Sequence, residues 1–207
     1  MSRYKILIVE DEPVIAENIS LYLDNNDFEV SAIAYDSTDA IEQLKSNTPD
    51  AVILDVNLES EKDGIDIATF INDTVHIPFL FLTSYADKGT LERAKTVKPG
   101  GYIVKPFNER TLLASLEIAI SNHTSEQNHD LPKLNFEKIN RHLLSPFSER
   151  EFEVVQLVYD GMTNTQIAEK LFVSINTVKT HLKNIHIKLD ASNRLVVINR
   201  LRELMLK

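Results

Sequence analysis

The stretch Ala51-Val-Ile-Leu-Asp55 places four apolar residues directly before a single carboxylate. Such a run is typical of a strand that is buried on both faces of a parallel sheet, with Asp55 at its carboxyl end. In open α/β sheets, ligands bind in the crevice at the carboxyl ends of the strands. The stretch therefore predicts that Asp55 faces a cleft.

Other strand-like runs end in polar residues that would reach the same edge of the sheet. Each of these runs is followed by a carboxylate, a hydroxyl or an ammonium: Tyr4–Val9 by Glu10 and Asp11, 78–82 by Thr83, and Gly101–Val104 by Lys105. Carboxylates this close repel one another unless a hard cation with oxygen ligands lies between them, and Mg²⁺ is the usual choice. The sequence therefore predicts a Mg²⁺ site.

With the acidic charge neutralised, Asp55 can act as a nucleophile toward a phosphoryl group, as in aspartyl-phosphate enzymes. Lys105 and Thr83 could then bind the phosphoryl oxygens. The sequence contains no Gly-rich phosphate loop, so nothing in it indicates a bound nucleotide.

This arrangement resembles the receiver domain of two-component response regulators over about residues 1–124. The positions that carry the resemblance are Glu10-Asp11, Asp55, Thr83 and Lys105-Pro106. The loop after Asp55 lacks the Met-Pro pair that many receivers carry there. The resemblance implies a phosphoacceptor, four Mg²⁺ ligands and two residues that change position on phosphorylation. Asp55 would be the phosphoacceptor. The Mg²⁺ ligands would be Glu10, Asp11, Asp55 and the backbone carbonyl of Asn57. Thr83 and Tyr102 would be the residues that change position.

Strand-like and helical segments alternate along this part of the chain, which predicts a doubly wound parallel sheet of five strands. The last helix of the sheet domain is predicted over 109–121. The following residues lack apolar periodicity, so we predict a flexible linker from Asn122 and assign 125–144 to the connection between two domains. Apolar residues near its end, such as Phe136 and Ile139, predict a helical turn that docks on one domain.

An all-helical domain of four helices is predicted over 145–207. Capping boxes begin its first two helices, at Ser148 with Glu151 and at Thr163 with Gln166, and Ser174 can cap the third. A short helix, a tight turn and a longer helix indicate a helix-turn-helix.

The third helix of this domain has one apolar stripe and one polar face. The polar face contains no acid and is suited to phosphates and base edges. Its residues are Asn176, Lys179, Thr180, Lys183 and Asn184.

Three segments of this domain resemble the DNA-binding domain of LuxR-type regulators. They are 144–151, 165–174 and 177–185. Joined to a receiver, the domain is similar to the NarL/FixJ class of response regulator. The resemblance implies major-groove contacts by Lys179, Thr180 and Lys183. It also implies that the fourth helix pairs two copies, around Val197 and Leu201.

Charge is divided unevenly along the chain. Residues 1–124 hold 10 Lys and Arg against 21 Asp and Glu, a net charge of −11, and residues 125–207 hold 12 against 10, a net charge of +2. The overall charge of −9 therefore does not exclude DNA binding by the second part. The lack of cysteine, of a signal peptide and of a long apolar run predicts a cytoplasmic protein without a membrane segment.

We interpret the sequence as a two-component response regulator that controls transcription. It would take a phosphoryl group from a histidine kinase, bind double-stranded DNA and act as a homodimer. It would have no other enzyme activity than Mg²⁺-dependent phosphorylation and dephosphorylation of its own receiver. One alternative is a constitutive DNA-binding protein whose receiver is only a docking domain, and another is a Mg²⁺-dependent phosphatase or phosphotransferase with an outside substrate.

Overall fold

The computed structural model describes residues 3–25, 27–84, 88–128 and 133–206. The chain divides into two compact units, one of Lys5–His123 and one that includes Thr124–Lys207. The first unit alternates strands with helices, and the second is helical. Within the described residues, no helix is long and apolar enough to cross a membrane.

Over the described residues, the α/β unit contains five strands and five α-helices in the predicted alternation. In chain order they are β1 (Tyr4–Val9), α1 (Pro13–Leu23), β2 (Phe28–Ala34), α2 (Ser37–Ser46), β3 (Ala51–Asp55), α3 (Gly64–Phe70), β4 (Phe79–Thr83), α4 (Lys88–Thr96), β5 (Gly101–Val104) and α5 (Glu109–Asn128). The sheet order is β2-β1-β3-β4-β5, and β3 pairs in parallel with both β1 and β4. The predicted fold class is confirmed.

The register of the strands brings the polar residues at the ends of β1, β3, β4 and β5 side by side. Val9 pairs with Leu54, Asp55 with Leu82, and Thr83 with Val104. The strand order reverses between β1 and β3, which is where ligands bind in this kind of sheet. The fold therefore forms a polar edge at the carboxyl ends of β1, β3, β4 and β5.

Buried apolar strands explain why this edge is held in place. All five residues of β3 and all five of β4 are buried, so both faces of the central strands are covered. Helix α1 begins with Pro at its first position and buries Ala16, Ile19 and Leu23 at helical spacing.

Helix α3 is followed by a turn of a different helical type, and α5 ends later than the sequence predicts. A π-helical turn over Ile71–Val75 follows α3 and ends at His76 in a left-handed conformation. Helix α5 continues to Asn128 rather than ending at Ser121, because 122–128 contains neither Gly nor Pro to stop it. The prediction of an irregular linker from Asn122 is therefore wrong for 122–128.

The helical unit contains the four predicted helices and one short helix before them. Their bounds are α6 (Phe136–Arg141), α7 (Glu149–Tyr159), α8 (Asn164–Leu171), α9 (Ile175–Leu189) and α10 (Arg194–Leu206). Helix α6 lies in the predicted linker, of which 129–132 are outside the described residues. Ile139 of α6 is fully buried in the core that α7, α8, α9 and α10 share.

The helix starts in this unit are set by side chains, as the sequence predicts. Complete capping boxes join Ser148 to Glu151 and Thr163 to Gln166, and the Ser174 side chain accepts a hydrogen bond from the Thr177 amide. These caps satisfy backbone N–H groups that have no partner inside the helix. The caps therefore fix where α7, α8 and α9 begin.

Glu151 also ties α7 to α9, which the sequence pattern did not reveal. Its carboxylate lies 2.7 Å from Lys188 Nζ, and the Lys188 ammonium also donates to the Pro146 carbonyl. Burial by itself raises the pKa of Glu151, but the hydrogen bonds from Lys188 and Ser148 outweigh it and hold the pKa below its ordinary value. The ionised carboxylate therefore contributes to the stability of the helical unit.

We predict that Glu151→Gln lowers the free energy of unfolding of the helical unit by about 1–3 kcal/mol at about pH 7, because a charge-assisted hydrogen bond is lost. The folded-state pKa is lowered, so this contribution is present above the ordinary pKa and disappears as the pH falls through the folded-state value. The gap between variant and wild type should therefore narrow toward about pH 4. Urea unfolding of the full chain, followed by circular dichroism, measures both effects.

The matched control is Glu153→Gln, which removes an exposed carboxylate of the same helix that pairs with Arg150. Its effect should stay below about 1 kcal/mol at either pH, because exposed ion pairs contribute little. Equal effects of the two variants would contradict the stabilising role of the Glu151–Lys188 pair.

Candidate functional site

One ammonium and two carboxylates meet at the polar edge of the α/β unit. Lys105 Nζ donates to Asp55 Oδ2 at 2.7 Å and to Glu10 Oε1 at 2.9 Å. All three groups are largely withdrawn from water, with Glu10 at 0% and Asp55 at 4% exposure. The Lys105–Pro106 peptide bond is cis. The structure thus brings together three residues that the sequence assigned to one site.

Asp11 belongs to the same cluster and is half-buried. One carboxylate oxygen from each of Glu10, Asp11 and Asp55 lies within 4.8 Å of the others. The loop after β3 orients two of these groups: the Glu59 amide donates to Asp11 Oδ2 at 3.0 Å, and the Asn57 amide donates to Asp55 Oδ1 at 3.1 Å. The contact from Glu59 was not predicted, since it joins residues far apart in the chain.

The cluster has more acid than the single ammonium neutralises. Burial raises the pKa of Glu10 to about 7, the nearby Asp55 adds to this rise, and the Lys105 hydrogen bond opposes it. Burial by itself lowers the pKa of Lys105, but its bonds to Asp55 and Glu10 hold that pKa above the ordinary value. Lys105 therefore stays charged while Glu10 takes up a proton near neutral pH.

The donor set fits a hard divalent cation. Three carboxylates supply only oxygen ligands, which Mg²⁺ prefers. Glu10 Oε2 is buried and makes no hydrogen bond to any described residue, although the Lys105 ammonium lies 2.7 Å away. This oxygen is thus paired with Lys105 by charge alone, so a divalent cation would share it with Lys105 or take the place of Lys105 there. The residues at this edge therefore have the chemistry of a Mg²⁺ site.

Thr83 is the last residue of β4 and lies at the same edge of the sheet as Asp55. Its Oγ1 atom is buried and has no hydrogen-bond partner among the residues that the structure describes. A buried hydroxyl normally has a partner, so an unpaired one at a polar edge indicates a group that bonds to something added there.

Tyr102 lies on β5, opposite Phe81 of β4. Its ring centroid is 5.8 Å from that of Phe81, and the side chain is 38% exposed. Burial raises the pKa of Tyr102, against a smaller effect from Lys95. These contacts describe one position of the ring and do not test the predicted change of position.

Gly64, the first residue of α3, lets the helix approach the site and was not singled out from the sequence. Its amide donates to the Val56 carbonyl at 3.1 Å. A Cβ atom added at Gly64 would lie 1.9 Å from the Asp55 carbonyl oxygen. The available signal was a single glycine between the loop after Asp55 and an apolar helix.

The predicted polar face lies on the outside of α9. Asn176, Thr180, Lys183 and Asn184 are exposed and Lys179 is half-buried, whereas Val178, Leu182, Ile185 and Leu189 are buried. Thr180 Oγ1 donates to the Asn176 carbonyl at 2.9 Å, which leaves its oxygen as an acceptor. The five residues therefore share one face, as the sequence predicts.

The two residues predicted to pair two copies are part of the core instead. Val197 and Leu201 of α10 are both at 0% exposure and pack with α6, α7 and α9. Fully buried side chains cannot contact a second copy without unfolding their own unit, so their assignment to a dimer contact is wrong. Apolar spacing on a helix does not distinguish a core stripe from an interface stripe.

Two family matches cover most of the chain. Residues 6–117 match the family described as response regulator receiver domain, and residues 145–201 match the family described as bacterial regulatory proteins, luxR family. The two matched ranges correspond to the site at the sheet edge and to the helices α7–α10.

Similar proteins agree with these matches. The response regulator protein VraR of Staphylococcus saprophyticus is 30% identical over 193 residues, which are 92% of this chain and 92% of that protein. The signal receiver domain of a modulated diguanylate cyclase from Desulfovibrio desulfuricans G20 is 30% identical with a TM-score of 0.58, and the match covers 60% of this chain and 99% of that one. Full-length FixJ from B. japonicum is similar in fold, with a TM-score of 0.53 at 18% identity and 100% of both chains covered.

We predict that Gly64→Ala lowers the free energy of unfolding of the α/β unit by roughly 1–3 kcal/mol, because the added methyl must displace the backbone at Asp55. Urea unfolding of the full chain measures this change. Gly101→Ala is the control, since its added Cβ would meet only the Leu80 side chain, at 3.1 Å. Similar losses in both variants would contradict the close approach of α3 to Asp55.

Proposed function

Because the chain belongs to the response regulators that join a receiver domain to a LuxR-type DNA-binding domain, we propose that phosphorylation of Asp55 controls its binding to DNA. A sensor histidine kinase supplies the phosphoryl group. The observation that carries this proposal is the buried Asp55 carboxylate. It has a lysine ammonium 2.7 Å away, and the next strand ends in a threonine hydroxyl that has no partner among the described residues.

The residues at the sheet edge can catalyse the transfer. A carboxylate oxygen of Asp55 attacks the phosphorus of the kinase phosphohistidine, the P–N bond breaks, and an acyl phosphate forms on the aspartate. Lys105 and Thr83 donate hydrogen bonds to the phosphoryl oxygens and stabilise the negative charge that develops on them. The receiver thus catalyses its own phosphorylation and, with water as the nucleophile, its own dephosphorylation.

The acidic cluster holds the metal ion in this proposal. Glu10, Asp11, Asp55 and the Asn57 backbone carbonyl would bind Mg²⁺, whose charge offsets that of the phosphoryl oxygens. Asp11 is already oriented by the Glu59 amide. Because Glu10 takes up a proton near neutral pH, cation binding must also displace that proton.

The output is DNA binding through α9. Lys179 and Lys183 meet phosphates or guanine, Thr180 faces the base edges, and Asn176 and Asn184 bond to adenine or phosphate. Changes in the positions of Thr83 and Tyr102 would shift a two-state receiver toward its active conformation when Asp55 is phosphorylated. The active form is a cytoplasmic homodimer that reads two half-sites about one DNA turn apart, through a surface other than Val197 and Leu201.

The domain organisation follows from the same proposal. Residues 1–124 form the receiver, 125–144 the connection, and 145–207 the DNA-binding domain. Helix α6, within the connection, packs on the DNA-binding domain through Ile139.

We predict that Asp55→Asn abolishes labelling by a small phosphodonor with Mg²⁺, because the amide is a far weaker nucleophile than the carboxylate. The variant should also lose the gain in DNA affinity that the phosphodonor produces in wild type. Phosphate-affinity gels and fluorescence anisotropy on the same samples measure the two effects. Asp73→Asn, an exposed acid outside the site, should behave as wild type.

Two different results would contradict the proposal. Labelling of Asp55→Asn would mean that another residue accepts the phosphoryl group. Equal DNA affinity of wild type and variant, with and without phosphodonor, would favour the constitutive DNA-binding protein.

We predict that Asp11→Asn weakens Mg²⁺ binding at least about tenfold, since one of three charged oxygen ligands is replaced by a neutral one. Isothermal titration calorimetry on the unphosphorylated full chain measures this affinity. The control is Glu12→Gln, which neutralises the neighbouring exposed acid. Equal losses in the two variants would show that total charge matters and that Asp11 is not a ligand.

A further inference from the structure

Phe172 occupies an unusual backbone position in the turn between α8 and α9. It follows Leu171 in the left-handed conformation, with φ 54° and ψ 44°. Its amide donates to the Glu169 carbonyl, and the Val173 amide donates to the Ala168 carbonyl at 3.0 Å. These two bonds form a Schellman motif, in which the left-handed residue is usually Gly and sometimes Asn.

Other helix ends in the same unit use residue types that suit this conformation. After α7 the left-handed residue is Gly161, at φ 79°, and after α9 it is Asp190, at φ 50°. Gly has no Cβ to clash, and Asp tolerates the left-handed region better than most residues. Phe is the poorly suited residue among these three helix ends, so its backbone conformation is strained.

The side chain of Phe172 does not offset this strain by burial. It is 94% exposed, whereas its neighbours Leu171 and Val173 pack against the core of the unit. Replacement by Gly or Asn would relieve the strain without loss of packing. The fold therefore gives no reason for an aromatic residue here, and a strained residue of this kind indicates function.

Phe172 lies close to the start of α9. It lies two residues before Ser174, whose side chain caps that helix. On the other side, Arg150 donates to the Leu171 carbonyl at 3.2 Å and so holds the turn. The nearest acid is Glu169, three residues before Phe172, and from 170 to 189 the sequence contains none, so the turn and α9 suit the phosphodiester backbone.

We propose that Phe172 packs its ring against the deoxyribose groups of the DNA backbone, at the edge of the major groove that α9 enters. In a helix-turn-helix the first helix crosses the backbone and the second enters the groove, so the turn between them lies beside the sugar-phosphate chain. This contact supplies affinity that does not depend on base sequence. The inference rests on the proposed DNA binding through α9 and adds a contact outside its polar face.

The test compares the full chain with Phe172→Gly and Phe172→Asn. The first probe is a duplex selected from a random library by the phosphodonor-treated wild type, and the second is a scrambled duplex of the same length. Dissociation constants are measured from about 50 to about 200 mM salt, and melting temperatures by calorimetry.

Both variants should bind both duplexes about 5- to 20-fold more weakly. The slope of log affinity against log salt should stay unchanged, because an apolar contact releases no counterions. The melting temperature should not fall, since both residues suit the left-handed conformation. Phe172→Tyr should keep wild-type affinity.

Two controls identify the type of contact. Lys183→Ala should weaken binding and also reduce the salt slope by about one. Leu144→Ala removes another exposed apolar residue of the same unit and should leave affinity unchanged.

Wild-type affinity in Phe172→Gly would overturn the inference. So would a loss of affinity accompanied by a lower melting temperature or a lower salt slope, because the turn itself would then have changed. Failure of wild type to bind any duplex would instead contradict the proposed function.

Discussion

The ammonium of Lys105 is the group on which the site at the sheet edge depends. It bonds to two buried carboxylates, Glu10 and Asp55, that would otherwise repel each other. Since removal of one partner from such a cluster leaves buried charge uncompensated, the three residues stabilise the edge only as a set. One ammonium is nevertheless too little charge for the acids present. Burial, with a smaller effect from the nearby Asp55, raises the pKa of Glu10 to about 7 even though Lys105 donates a hydrogen bond to it. Because the site holds more carboxylates than the ammonium neutralises, it is suited to a divalent cation.

The helical unit is organised by side chains that bind backbone groups. Ser148, Thr163 and Ser174 begin three helices, and the Glu151–Lys188 pair joins the first of these helices to the third. Because these contacts are local or lie within the unit's own core, α9 is held rigidly with its polar face outward. A rigid helix presents its side chains to DNA without further loss of conformational entropy. Phe172 differs from these residues, because its side chain is exposed and its left-handed backbone is strained.

The two units divide the chemistry of the protein between them. The acidic part of the chain carries the proposed phosphorylation site, and the slightly basic part carries the proposed DNA-binding face. A strongly acidic receiver does not oppose DNA binding as long as the acid-free surface of α9 meets the phosphates. In the proposed function, phosphorylation therefore acts on one unit while the other keeps a preformed binding surface.

The sequence by itself determined the doubly wound parallel fold class, the residues at the strand ends and the starts of the capped helices. These follow from local rules: buried parallel strands read as apolar runs, and capping side chains act within three residues. Only the tertiary structure decided what long-range packing controls. The contacts of Glu59 with Asp11 and of Lys188 with Glu151, and the close approach of Gly64 to Asp55, join positions that no local pattern relates. The burial of Val197 and Leu201 was decided in the same way, because an apolar stripe has the same spacing whether it meets its own core or a second copy.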